Sequence, residues 1–230
     1  MKSLKILCVA DEVDLLVYSS AIRERFGDVD LVLSAGDLPG EYLGFIATML
    51  NKPIISVAGN HDPSDKKVKN IFSGALNLDL ESGKERGDLG RLSFGIRKEA
   101  GISVLGLPGS MLYNGGDNQY SDFSMMFRIL PLVPWLFLRK LFTGRGVDII
   151  LAHSPPKGIH DGEDLCHHGF KAFKWLMRFA SPAYFVHGHV HVYDSRELRE
   201  RQLGSTTIVN VYGHRVLTLP RRIDGEYTDK

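Results

Sequence analysis

Five apolar runs, each followed by a polar residue that can bind a metal ion, constrain the fold of this chain more than any other feature. Continuous apolar runs of this length are typical of strands that are buried on both faces of a parallel sheet. Because the carboxyl ends of parallel strands open onto a shared crevice, the polar residues are predicted to meet there. The runs LKILCVA, LVLSAG, PIISVAG, VDIILA and AYFVHG lead to Asp11, Asp37, Asn60, His153 and His189.

The first third of the chain alternates these runs with helical spacing. Asp14 is placed to cap a helix with Leu15, Tyr18, Ile22 and Phe26 on one face, and residues 41–50 predict a second helix. Such alternation indicates parallel strands joined by right-handed crossovers.

The pattern changes after residue 92. LSFGI and ISVLGL are separated by a polar turn at 97–101, which predicts a hairpin, and a Gly/Asn-rich loop follows. Further on, a helix interrupted by prolines is predicted over 122–142, a strand over 147–152 and an amphipathic helix from 170 to 180. Short strands are predicted at 184–187, 206–211 and 216–219. Without a repeat or a long linker, residues 1–230 are predicted to form a single domain.

Composition and charge are those of an ordinary globular protein. The chain is 43% hydrophobic and 24% charged, with a formal net charge of +1, so as a whole it carries no electrostatic signature of binding to nucleic acid or to an anionic membrane. The two cysteines give no disulfide framework, and no apolar run reaches the roughly 20 residues that a membrane span needs. We therefore expect a cytoplasmic protein without a transmembrane segment.

The donor atoms favour particular metals. Carboxylate, amide and imidazole groups without thiolates suit Mn, Fe, Zn or Ni better than a structural cysteine-rich zinc site. His189 and His191 are two residues apart, so in extended backbone they would share one side, whereas a bend would let them serve two ions.

The order of the motifs resembles the calcineurin-like metallophosphoesterase superfamily. Gly36-Asp37, Gly59-Asn60-His61-Asp62, His153 and Gly188-His189-Val190-His191 carry the resemblance, which spans residues 11–191. It implies an α/β fold, a four-layer αββα sandwich of two mixed β-sheets flanked by helices.

The resemblance also implies a role for each motif residue. Asp37 would bridge two divalent metal ions, and His61 would face the phosphate and help to protonate the leaving group, with Asp62 orienting His61. The other ligands fall into two sets: Asn60, His153 and His189 for one ion, Asp11 and His191 for the other.

The implied reaction is hydrolysis of a P–O bond in a small phosphate ester by a hydroxide that bridges the two ions. A phosphodiester is favoured over a phosphomonoester, because the motifs offer few cations that could hold a dianion. No GxSxG elbow is present that would supply a serine nucleophile.

One position departs from the family pattern. The first motif is usually Asp-x-His, whereas this chain has Asp11-Glu12-Val13. Glu12 or Asp14 could replace the missing imidazole, but neighbouring side chains point elsewhere in extended backbone, so weaker binding of the ion that Asp11 and His191 would hold is favoured. The alternative function is a metal-binding scaffold or interaction protein of the same fold that has lost efficient catalysis.

Other polar residues are candidates for substrate contact. His160 and His167 lie in the loop after the 147–152 strand, and Asn114 lies in the Gly/Asn-rich loop; each could equally be a hydrogen-bonded loop residue. His187 is predicted to be either a core histidine or one that supports a metal ligand.

The apolar segment 122–142 has three interpretations. It could be an outer helix packed on the sheet, a lid or a surface for homo-oligomers, or a shallow membrane contact in which Arg128, Arg139 and Lys140 meet lipid headgroups. The basic residues Arg215, Arg221 and Arg222 are expected to be solvated surface rather than a nucleic-acid site.

Overall fold

The computed structural model describes residues 3–63, 91–193 and 198–220, and its first sheet is built mainly from the N-terminal apolar runs. The strand order is β13-β1-β2-β3-β4. The pairs β1–β2, β2–β3 and β3–β4 are parallel, and β13 is antiparallel to β1. The bounds are β1 (Ser3–Ala10), β2 (Leu31–Ser34), β3 (Ile54–Val57), β4 (Arg91–Leu92) and β13 (Gly213–Pro220).

The second sheet has six strands in the order β11-β12-β10-β9-β6-β5. Its four central strands are parallel, and an antiparallel strand borders each edge. Strands β7 (Ser110–Met111) and β8 (Gln119–Tyr120) form a separate small pair. The six strands of the sheet are β5 (Gly95–Glu99), β6 (Ile102–Leu107), β9 (Ile149–Ala152), β10 (Tyr184–His187), β11 (Glu200–Leu203) and β12 (Thr206–Asn210).

Helices cover the outer faces of both sheets. Helices α1 (Ile22–Phe26) and α2 (Gly40–Leu50) pack on the first sheet, where Val9 and Ile46 share one buried cluster. Against the second sheet pack α3 (Asp122–Ile129), α4 (Val133–Thr143) and α5 (Lys171–Ala180), and one 3-10 turn, Leu130–Leu132, separates the first two.

A third apolar cluster lies between the two sheets, where Leu33 of the first sheet and Leu151 of the second are both fully buried. Both faces of the central strands are therefore covered, which is why those strands are continuously apolar. The order helix, sheet, sheet, helix confirms the predicted α/β fold with two mixed sheets.

The predicted start of the first helix, at Asp14, is wrong. Residues 14–21 form turns, Leu15 is 77% exposed, and the helix begins only at Ile22. The Oδ1 atom of Asp14 accepts the N–H of Leu16 at 2.8 Å, an Asx turn that competes with helical hydrogen bonding.

The predicted hairpin is confirmed, with a tighter turn than expected. Strand β5 continues to Glu99, which pairs with Ile102, so only Ala100 and Gly101 form the turn. Their φ angles of 51° and 84° are the positive values that a type I′ hairpin turn requires. Strands β4, β7, β8 and β11 were not predicted.

Candidate metal centre and active site

The polar residues that follow the apolar runs come from both sheets. Asp11, Asp37 and Asn60 follow β1, β2 and β3 of the first sheet, whereas His153 and His189 follow β9 and β10 of the second. The predicted position after strand ends is therefore confirmed, and the site lies where the two sheets present the same edge.

Asp37, His153 and His189 form a compact group of three. One potential ligand atom from each lies within 4.8 Å of the others. The Oδ2 atom of Asp37 is 3.3 Å from Nε2 of His153, and Oδ1 of Asn60 is 3.0 Å from the same nitrogen. Both histidines and Asn60 are buried, so these polar atoms face one another rather than solvent.

Each of the two histidines has one ring nitrogen fixed by a carbonyl group. Nδ1 of His153 lies 2.7 Å from the carbonyl oxygen of Ala35, and Nε2 of His189 lies 2.8 Å from that of Cys166. A ring N–H donated to a carbonyl leaves the opposite nitrogen as an acceptor, the arrangement in which histidine binds metal ions. The buried carboxylate, amide and imidazole donors fit a divalent cation.

Burial and mutual attraction set the protonation of the group. Burial opposes a charge on His153, but the carboxylates of Asp37 and Asp11 outweigh it and raise its pKa to about 9. Burial also acts to raise the pKa of Asp37, yet its bond to His153 leaves that pKa lowered. Burial lowers the pKa of His189 to about 3 and raises the pKa of Asp11. Without a cation, a proton on His153 therefore balances Asp37.

The backbone at this edge is strained. Asp11, Asp37 and His189 have φ angles of 64°, 56° and 68°, in the left-handed region that non-glycine residues rarely adopt. Such conformations cost of order 1–3 kcal/mol each and cluster at functional sites.

Two motif glycines allow the strand ends to come together. A Cβ atom on Gly59 would lie 2.0 Å from Oδ1 of Asp37, and one on Gly188 would lie 2.3 Å from Oδ2 of Asp11. Both distances are far below van der Waals contact, so any larger residue would displace a carboxylate.

Asp11 and His191 are not gathered as tightly as the other predicted ligands. Oδ2 of Asp11 accepts the backbone N–H of His189 at 2.9 Å, and Nδ1 of His191 lies 2.8 Å from the Tyr193 hydroxyl. Within the described ranges, neither residue belongs to a three-residue group with ligand atoms within 4.8 Å of one another. Their role as ligands of a second ion stays a prediction.

Glu12 and Asp14, the two carboxylates on either side of Val13, are hydrogen-bonded to other residues. Glu12 hydrogen-bonds to the Tyr212 hydroxyl, and burial together with Glu12 raises the pKa of Tyr212 to about 12. Asp14 pairs with His214 through Oδ2, and Val13 packs against the apolar cluster beneath α1 and α2. These contacts agree with the expectation that neither carboxylate directly replaces the missing imidazole.

His61 and Asp62 are anchored to the site through the backbone. His61 is exposed, and its N–H donates to Oδ1 of Asp37 at 2.9 Å. Oδ2 of Asp62 accepts the N–H groups of Gly59 and Asp37 at 2.8 and 3.1 Å. Asp62 therefore holds two ligand loops together, a contact the sequence did not predict, and its orientation of the His61 ring stays a prediction.

The candidate substrate residues lie in different settings. His167 stacks beside His189 with ring centroids 5.1 Å apart, and its Nδ1 lies 2.8 Å from Asp164. His160 instead contacts His187, with 3.1 Å between Nδ1 and Nε2. Asn114 turns back onto the N–H of Gly116 at 3.1 Å. The buried position of His187 confirms it as a core histidine.

Sequence reasoning missed three residues of this edge. The Tyr113 hydroxyl lies 3.3 Å from Nδ2 of Asn60 and also hydrogen-bonds to Cys166. Cys166, His167 and His189 form a second group with ligand atoms within 4.8 Å. Nδ2 of Asn118 donates to the carbonyl of Asp62 at 2.9 Å. The adjacency of Cys166 to His167 was the one sequence signal that could have indicated this group.

The fold places buried carboxylate and imidazole donors at the strand ends of two mixed sheets, and this donor set is typical of a protein that binds divalent metal ions. A family model described as "Calcineurin-like phosphoesterase" matches residues 4–193. The chain therefore belongs to the calcineurin-like phosphoesterase family, whose members hydrolyse phosphoesters with divalent metal ions.

Solved structures show the same fold at low identity. The crystal structure of TT1561 of Thermus thermophilus is 14% identical, with 96% of this chain and 100% of that chain covered and a TM-score of 0.57. Another crystal structure is 15% identical, with the same coverage and a TM-score of 0.61. No curated protein matches the chain.

Proposed function

We propose that this protein is a dinuclear metal-dependent phosphodiesterase that acts on a small molecule. The observation that carries the proposal is the meeting of Asp37, His153 and His189, from strand ends of two different sheets, within 4.8 Å. Asn60 adds an amide oxygen to this set, and Asp11 and His191 would hold the second ion.

Paired divalent cations would supply a water of lowered pKa and would offset negative charge on the phosphate. The remaining roles, positioning the ligands and transferring the proton, belong to residues of the protein. Asp37 keeps His153 in place through the 3.3 Å contact, and the N–H of His61 fixes Oδ1 of Asp37. The exposed imidazole of His61 would carry a proton to the leaving oxygen.

The preference for a diester follows from the charges at the site. Within the described residues, no lysine or arginine side chain hydrogen-bonds to Asp37, Asn60, His153 or His189. A phosphomonoester dianion is usually held by such cations, often in bidentate contacts with arginine. A diester carries one negative charge, which the metal ions would balance alone.

The second ion is proposed to bind less tightly than the first. Val13 offers no donor atom, and the carboxylates of Glu12 and Asp14 already have partners. Mn, Fe, Zn and Ni all suit the oxygen and nitrogen donors. The same observation supports the alternative proposal, a metal-binding scaffold without efficient catalysis.

The test compares hydrolysis of an aryl phosphodiester and an aryl phosphomonoester by protein reconstituted with Mn²⁺. We expect faster turnover of the diester. His61→Ala is expected to lower kcat about 100-fold or more with metal content unchanged, because it removes the proton donor. His168→Ala, in the loop near Cys166, is the matched control.

Three outcomes would overturn parts of this proposal. Loss of metal from His61→Ala would show that His61 is a ligand. Faster monoester turnover would reverse the substrate preference. An inactive protein that holds two ions per chain would favour the scaffold.

A further inference from the structure

The segment that contains α3 and α4 exposes an unusually large amount of apolar side chain. Only Met125, Ile129 and Leu136 of this segment are buried, so packing on the sheet explains a small part of its hydrophobicity. The exposed members, called here the apolar surface, are 46–72% exposed: Phe123, Phe127, Leu130, Trp135, Phe137, Leu138, Leu141 and Phe142.

Within each of the two helices, members of the apolar surface are neighbours. Phe123 and Phe127 are one turn apart on α3, with ring centroids 4.6 Å from each other. Along α4, Phe137 and Leu141 are four positions apart, so they too are neighbours on the helix. Exposed apolar patches of this extent mark a surface that contacts a protein or a membrane.

The same layer has a local excess of basic over acidic residues. Residues 122–145 and 171–180 hold seven basic residues and one acidic residue, Asp122, although the net charge of the whole chain is only +1. Lys171 and Arg178 of α5 are exposed beside the apolar surface. The seven basic residues are Arg128, Arg139, Lys140, Arg145, Lys171, Lys174 and Arg178.

We propose that the apolar surface binds the face of a lipid bilayer that contains anionic phospholipids. The apolar side chains would enter the boundary between headgroups and acyl chains, and exposed basic side chains such as Lys171 and Arg178 would meet the lipid phosphates. Within the described residues no helix is long and apolar enough to cross a membrane. The proposed contact is interfacial, with α4, whose 11 residues extend about 16 Å at 1.5 Å per residue, lying along the membrane surface.

Charge argues against a second copy of the chain as the occupant. A twofold dimer would place the same patch of both copies together, and with it both sets of basic residues. Like charges that face one another oppose association, whereas an anionic membrane attracts them.

The test measures co-sedimentation of the full chain with vesicles of phosphatidylcholine alone, or of phosphatidylcholine with phosphatidylglycerol. We expect binding to the anionic vesicles only, and weaker binding at about 1 M salt than at about 0.1 M because screening shortens the reach of the charges. The double variant Leu141→Ser/Phe142→Ser is expected to lower the partition coefficient roughly tenfold or more. Lys171→Glu/Arg178→Glu is also expected to lower it.

The control is Leu15→Ser, because Leu15 is 77% exposed but lies near the helices of the first sheet. It should bind vesicles like the wild type. Unchanged thermal unfolding of the variants would show that they fold. Absence of binding to anionic vesicles, or equal binding to both kinds, would overturn the proposal. So would a dimer seen by light scattering that the Leu141→Ser/Phe142→Ser variant dissociates, in a protein that binds no vesicles.

Discussion

The backbone N–H of His189 donates a hydrogen bond of 2.9 Å to Oδ2 of Asp11, across 178 residues of sequence. Asp11 directly follows β1 of the first sheet, and His189 follows β10 of the second, so this bond joins the two sheets at the candidate metal centre. Both residues have left-handed backbone. We infer that the bond helps to hold both strained turns, and with them the buried His189 side chain.

Gly188→Ala is predicted to disrupt this junction. The new Cβ would lie 2.3 Å from Oδ2 of Asp11 and 2.6 Å from Cβ of Ala10. Either the carboxylate or the strand end must move, so metal affinity and activity should fall at least tenfold. Gly44→Ala is the control, because nothing lies within 4 Å of its added Cβ in α2. Equal metal content in both variants, measured by elemental analysis, would contradict this account of the junction.

Asp62 is predicted to stabilise the two ligand loops that it connects. Asp62→Ala leaves the N–H groups of Gly59 and Asp37 without their acceptor, at a cost of about 1–3 kcal/mol for each buried group. Asp62→Asn keeps an acceptor oxygen and should retain most of the stability. Urea unfolding of the metal-free proteins measures the difference. A stable Asp62→Ala variant would show that water replaces the carboxylate.

Stability of the metal-free protein is predicted to fall in acid, partly through His187. Burial lowers the pKa of His187 from 6.5 to about 3, so the unfolded chain takes up a proton that the folded chain excludes. The contribution of neutral His187 to folding stability is fully present above pH 6.5 and is lost as the pH falls toward 3. Between about pH 6.5 and 5 His187 should account for about 2 kcal/mol of the lost stability, and that part of the loss should be absent in His187→Gln. Equal losses in both proteins would contradict the buried, neutral state of His187.

Val13→His is predicted to strengthen the second metal site. It restores an imidazole two residues after Asp11, and we expect roughly tenfold tighter binding or more, since even outer partners of metal ligands change affinity by about 10–100-fold. Val13→Ile keeps the packing without a donor atom and serves as the control. Calorimetric titration with Mn²⁺ measures both ions. Unchanged affinity of Val13→His for the second ion would mean that another group already completes the set of ligands around that ion.

The sequence predicted the sheets well because their strands are buried on both faces. The strands that contain Leu33 and Leu151 are apolar except for Ser34, and such a pattern has few alternative folds. The prediction from sequence was wrong at Asp14, where the hydrogen bonds of one side chain determine the local structure. Asp14 forms a turn with Leu16 instead of starting a helix, and its other carboxylate oxygen pairs with His214, a partner 200 residues away that local sequence does not indicate.

In the candidate site, too, some residues were predicted from the sequence and others were not. The motif residues after strand ends were predicted from local sequence, whereas Tyr113, Asn118 and Cys166 lie in loops without periodicity. Their contacts with Asn60, Asp62 and His189 depend on how distant loops fold onto the site. No sequence spacing predicts such contacts, because each loop position follows from the packing of the elements that flank it.

A manganese soak of crystals, read by anomalous scattering, is the sharpest test of the metal centre. We expect a strong peak between Oδ2 of Asp37 and Nε2 of His153, with the ion replacing the proton that the raised pKa of His153, about 9, keeps on the ring. A weaker peak is expected beside Asp11. Absence of any peak, with Asp37 and His153 still in direct contact at 3.3 Å, would contradict the metal centre.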